Sequence, residues 1–148
     1  ELKNIKVPTT IMTNSAENNG NIFGAVDYLS HKKDIIDTGV TIKEYEGGIS
    51  YHGKSMTIDD DIAIVGSFNM DMRSAYIDTE LMLVINSKDI NKQLKASMEE
   101  YEKKAATVKN ETEYSHIPEG MKMKELSDKK KNIKAWFGWA MNGLRFLF

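Results

Sequence analysis

A chain of 148 residues, 41% hydrophobic and 28% charged, is long enough for one domain with a buried core. A net charge of −2 and a pI near 6.0 give no general attraction to nucleic acid, and the lack of cysteine excludes disulfides and thiolate metal ligands. No run of about 18 apolar residues is present to span a membrane as a helix.

The chain opens on Glu1 rather than Met and leads almost at once into a strand, as expected of a portion of a longer protein. Residues 5–12 are β-branched enough for that strand, with Pro8 marking an edge or a bulge. A polar loop over 14–20 follows. Apolar residues at helical spacing then predict a helix over 22–37, stopped by Gly39. Residues 40–45 form the next strand, Gly47-Gly48 breaks it, and 51–58 form another. Asp59-Asp60-Asp61 makes a tight hairpin into a strand at 62–65. Residues 67–79 form a loop with a helical turn. A strand at 80–85 carries Leu81, Leu83 and Ile85 on one face and Glu80, Met82 and Val84 on the other. Ser87 or Asp89 caps a helix over 90–106 with Leu94 and Met98 inward. The order predicts the α/β class, a mixed β-sheet flanked by helices. Residues 1–106 form the main domain, 107–128 a polar linker and 129–148 a distinct tail.

The chemistry concentrates after residue 51. In a strand, H-x-K places His52 and Lys54 on one face, an imidazole beside an ammonium. That pair suits a phosphate oxyanion: Lys54 holds negative charge, and His52 attacks phosphorus or moves a proton. The turn Gly66-Ser67-Phe68-Asn69 adds a hydroxyl and an amide. Three consecutive carboxylates at 59–61 point in different directions and read as a solvated turn rather than a metal site, with Asp59 anchoring it.

The ungapped pattern H-x-K-x4-D-x6-G-S-x-N, through His52, Lys54, Asp59, Gly66, Ser67 and Asn69, is similar to the signature of the phospholipase D superfamily. Glu80, 28 residues after His52, stands where that superfamily carries an acid that hydrogen-bonds the catalytic imidazole. Residues 69–74 resemble its N-x-D-x-R-S continuation, and the stretches at 13–15 and 39–41 resemble the lead-in of cardiolipin synthase-like members. The resemblance covers residues 3 to about 104 and fits a carboxy-terminal half. It implies catalytic His52, Lys54, Asn69 and Glu80, substrate contacts from Ser67, Lys54 and Arg73, structural Asp59 and Gly66, and neither cofactor nor metal. It also implies a phosphohistidine intermediate, with His52 as nucleophile or general acid. The chain holds one motif where superfamily sites use two, so a second half is expected from the same polypeptide or from a homodimer mate.

Other residues have plainer readings. His31 and His116 are ordinary surface or core histidines. Arg73 is a phosphate contact or an ion-pair partner of Asp71 or Asp78. Asn14 and Ser15 line the pocket or cap their loop. The tail opens with Lys129-Lys130-Lys131 and carries Ile133, Trp136, Phe137, Met141, Leu144 and Phe148 at helical spacing, with Lys134 and Arg145. It reads as a membrane-surface helix or as a packing helix. Together these features predict a phospholipid-processing enzyme, transferring or hydrolysing a phosphatidyl group at the cytoplasmic face of a membrane. The alternatives are a nuclease-like homodimer, which the lack of a basic surface disfavours, and an inactive scaffolding half.

Overall fold

A computed structural model describes residues 2–137. After a 3₁₀ turn at Leu2–Asn4, the elements run β1 (Thr10–Asn14), α1 (Ile22–Ile36), β2 (Thr41–Tyr45), β3 (Ser55–Ile58), β4 (Ile62–Gly66), α2 (Met72–Tyr76), β5 (Met82–Asn86), α3 (Lys88–Glu102), β6 (Ala105–Val108), β7 (Tyr114–His116) and α4 (Asp128–Phe137). The class is α/β, as the sequence predicts, but the strands divide between two sheets. The described residues form two units, one of residues 2–51 and 101–137, the other of residues 52–100.

The first unit holds a mixed sheet in the order β1-β2-β6-β7, with β1 parallel to β2 and the remaining pairs antiparallel. Pro8 lacks an N–H, so pairing begins beyond it at Thr10, and β1 lies at an edge. Asn21 caps α1 by accepting from the N–H groups of Phe23 and Gly24, and Gly39 leaves it at φ 86°. Ala25, Val26, Ile42, Tyr45, Ala105 and Ala106 are buried. Glu44 is buried among polar partners: Lys32 Nζ lies 2.8 Å from its Oε1, which also accepts from Tyr28 at 2.6 Å, and Tyr114 donates to its Oε2 at 2.5 Å.

Two expectations change in this unit. The helix predicted over 90–106 ends at Glu102, and Ala105–Val108 instead pairs with β2. The stretch read as a polar linker contains the end of β6 and all of β7. Asn110 closes their hairpin, its Oδ1 accepting from the N–H groups of Thr112 and Glu113. In the tail, the expected helix begins as α4, but Lys130 is not an exposed cation. Its Nζ donates to the carbonyls of Ala16, Glu17 and Asn19 at 2.8, 2.6 and 3.0 Å. Glu17 also accepts from Ser127 N–H, and that contact holds its carboxyl below the usual carboxylate range. Trp136 is 84% exposed; Met141, Leu144, Arg145 and Phe148 lie outside the described residues.

The second unit is an antiparallel sheet, β3-β4-β5, with helices α2 and α3. Asp59 turns the β3–β4 hairpin at φ 48°, a left-handed conformation that Asp tolerates better than most residues. Lys95 clamps the turn, donating to Asp59 O at 2.5 Å and to Asp60 Oδ1 at 2.7 Å. The turn is therefore anchored through Asp59's backbone and Asp60's carboxylate. Ser87 caps α3 as expected, and buried Asn91 donates to Ile62 O at 2.6 Å, tying helix to sheet.

Candidate active site

Residues 51–54 do not continue β3, which begins at Ser55. The backbone N–H and C=O of Tyr51 are occupied by the side chain of Asn14: Tyr51 N–H donates to Oδ1 and Nδ2 donates to Tyr51 O, both at 2.7 Å. A side-chain amide thus takes the place of a neighbouring strand. Asn14 and Ser15 are loop-capping residues, with Ser15 donating to Glu46 Oε2 at 2.5 Å.

His52 and Lys54 are brought together without strand geometry. Lys54 Nζ lies 3.0 Å from His52 Nδ1, 3.1 Å from Nε2 and 3.2 Å from the His52 carbonyl oxygen. An ammonium only donates, so only a ring nitrogen bearing a lone pair can receive it.

Strand register gathers the remaining motif residues. Gly66 N–H donates to Lys54 O at 3.0 Å, and Gly66 pairs with Met82 across β4–β5. One residue on, Ser67 N–H donates to Leu81 O at 3.0 Å, and Leu81 N–H returns to Ser67 Oγ at 3.1 Å. Lys54, Ser67 and Glu80 are therefore brought to one end of the same sheet. Gly66 allows the close approach: a Cβ there would stand 2.1 Å from Leu81 O and 2.4 Å from Met82 Sδ. Gly66→Ala should consequently cost about 1–3 kcal/mol, read as a lower midpoint in thermal unfolding. An unchanged midpoint would show that β4 and β5 can separate freely at this point.

Glu80 departs from the contact that the resemblance implies. Its oxygens accept from two hydroxyls, Ser67 on Oε2 and Ser74 on Oε1 at 2.6 Å, rather than from the His52 imidazole. The reason is the register just described, which sets Ser67 beside the residue preceding Leu81. The Ser67 hydrogen bond foremost, then that of Ser74, holds the Glu80 carboxyl below the usual carboxylate range; Lys54 acts in the same sense and Asp78 against it.

Asn69 turns both its backbone N–H, at 3.2 Å, and its Nδ2, at 3.4 Å, toward Ser74 Oγ. Asp71 caps α2, accepting from Ser74 N–H at 2.7 Å. Arg73 is paired with Asp78, its Nε 3.0 Å from Oδ1 and 2.9 Å from Oδ2, which realises its ion-pair reading. His31 contacts Asp27 within α1, and His116 is exposed on β7. Ser74 is marked in the sequence only by its place in the N-x-D-x-R-S run, although it touches both Asn69 and Glu80.

The site is open: His52, Ser67 and Asn69 are all exposed, and the set supplies one imidazole, one ammonium, one amide and a hydroxyl-held carboxylate. Such a set at one end of an antiparallel sheet defines a phospholipase D-like domain. The chain belongs to the family described as "Cardiolipin synthase, PLD-like domain", which matches residues 1–101. It is 36% identical over 97 residues to cardiolipin synthase 1 of Staphylococcus epidermidis, covering 66% of this chain and 19% of that protein. It is 35% identical over 68 residues to cardiolipin synthase A of Wigglesworthia glossinidia brevipalpis, covering 46% of this chain and 14% of the relative. The chain thus spans less than a fifth of the length of these curated relatives. Its fold is similar to that of phosphatidylserine synthase from Haemophilus influenzae Rd KW20, with a TM-score of 0.64 at 13% identity over 95% of this chain and 36% of the other.

Proposed function

We propose that this chain is one half of a phospholipid phosphodiesterase site that transfers a phosphatidyl group between alcohols or hydrolyses it. The observation that carries the reading is the contact between His52 and Lys54 beside the Ser67–Glu80 pair, within a cardiolipin synthase-like family. One histidine attacks phosphorus as the leaving alkoxide departs, giving a phosphohistidine. The histidine of the opposing half protonates that alkoxide, then takes the proton from the incoming alcohol or water that releases the phosphatidyl group. Lys54 and Asn69 hold the nonbridging oxygens as charge develops, with Ser67 behind them. Glu80 acts on that charge through its hydroxyl partners and Lys54. The second half comes from the same polypeptide or from a second copy.

The tail supports a lipid substrate. Trp136 is exposed on α4, and Lys129 and Lys131 face solvent while Lys130 is committed to the fold. An indole beside ammonium groups suits the headgroup layer, so residues 129–148 form a membrane-surface contact. The polypeptide carrying this chain, given phosphatidylglycerol vesicles and labelled glycerol, should build the label into phospholipid or release phosphatidic acid. Vesicles that remain unlabelled and unhydrolysed would contradict the proposal.

A further inference from the structure

We propose that Ser74 is a positioning residue of this site, its buried hydroxyl holding the Glu80 carboxylate and the Asn69 amides in a single arrangement. The inference deepens the phosphodiesterase reading and rests on it for the roles of Asn69 and Glu80. Its geometry is independent of that reading.

Ser74 is 6% exposed, whereas His52, Ser67 and Asn69 around it are open to solvent. It is thus placed to act through its neighbours rather than on a substrate. A hydroxyl has one hydrogen to give and two lone pairs to receive. Ser74 spends the hydrogen on Glu80 Oε1 at 2.6 Å, and its lone pairs face Asn69 N–H at 3.2 Å and Asn69 Nδ2 at 3.4 Å. The direction is set by Glu80, because an ionised carboxylate only accepts. Hydrogen bonds aligned this way polarise one another, so the ionised acid strengthens the hold on the amide. Neither end has a ready substitute. Ser67 already occupies the other oxygen of Glu80, and Arg73, the neighbour of Ser74, is turned to Asp78. The hydroxyl is also rigidly carried, because Ser74 N–H is fixed by the Asp71 cap at 2.7 Å. That bond is made by the backbone and survives a side-chain change.

The charged groups acting on Glu80 are Lys54, which favours its ionised form, and Asp78, which opposes it and is paired with Arg73; His52 stands beside Lys54. Both hydroxyls favour the carboxylate, so loss of Ser74 should move its titration upward.

The test compares wild type, Ser74→Ala and Ser74→Thr in the polypeptide carrying this chain. It uses labelled phosphatidylglycerol in vesicles for turnover and carbon-13 NMR of the Glu80 carboxyl for titration. Ser74→Ala should lower kcat roughly 10-fold to 100-fold while KM stays within about 3-fold, because Asn69 is needed most where charge develops. The Glu80 titration should move to higher pH, and Ser74→Thr, which keeps the hydroxyl, should restore both it and kcat. If Ser74→Ala fails to fold, Ser74→Cys keeps the volume with a much weaker donor and carries the same comparison. A Glu80 titration that stays in place overturns the proposal, even if activity falls. If the titration moves but wild type turns over no phosphodiester, the positioning role stands and the phosphodiesterase reading fails.

Discussion

His52→Ala should lower phosphodiester turnover by about 10³-fold or more, and Lys54→Ala by about 10²-fold to 10³-fold, with thermal unfolding unchanged in both. The two losses differ in kind. In the proposed reaction His52 supplies the atom that bonds phosphorus or moves the proton, and the opposing half's histidine, already committed to the complementary step, does not replace it. In the same proposal Lys54 contributes charge rather than a bond, so its loss weakens the hold on the phosphate without removing the reacting atom. Stability should hold because His52 is exposed and both residues lie before β3, outside the ladder that begins at Ser55. Rates measured beside unfolding midpoints check this. Wild-type turnover in either variant would remove these residues from the chemistry, and a large fall in midpoint would make the loss structural.

The largest stability effect is expected at Lys32→Ala. Lys32 and Glu44 are an ion pair whose side chains are 5% and 3% exposed, and Tyr28 and Tyr114 add hydroxyl donors to the same carboxylate. Removing the ammonium leaves a buried carboxylate without its counter-charge, at a cost of about 3–5 kcal/mol. Lys33→Ala, one residue away, is the control: its pair with Asp37 is open to solvent and should change the midpoint little. The cluster also fixes an alkaline limit. Burial first, and then the Glu44 carboxylate, push both phenols well above their ordinary value. Below about pH 10, where a free tyrosine keeps its proton, the cluster's contribution is complete. Above it the unfolded chain ionises first, so stability should fall with rising pH. Equal midpoints for the Lys32 and Lys33 variants would show that the buried pair is not what holds α1 to β2.

Much of the site was legible because its chemistry is local in sequence. The motif lies between His52 and Glu80, and a hairpin turned by Asp59 returns β4 beside β3. What could not be read depended on distant partners. Residues 51–54 have the composition of a strand, yet Asn14, 37 positions upstream of Tyr51, supplies the pairing as a side chain. Ala105-Ala106 continues a helical pattern, but pairing with β2 makes it a strand. Asn110 was a turn signal inside a stretch read as linker. Lys130 looked like its two lysine neighbours, and only the loop carbonyls at residues 16–19 distinguish it. Ser74 belonged to the motif, but its role required knowing that Glu80 and Asn69 meet at one hydroxyl.

The most direct measurement sets phosphatidylglycerol vesicles against single-stranded DNA, with the polypeptide carrying this chain and its His52→Ala variant side by side. Cardiolipin or phosphatidic acid is expected from the wild type, none above background from the variant, and intact DNA throughout. DNA cleavage that depends on His52, with the lipid untouched, would contradict this and make α4 a packing helix of a nuclease.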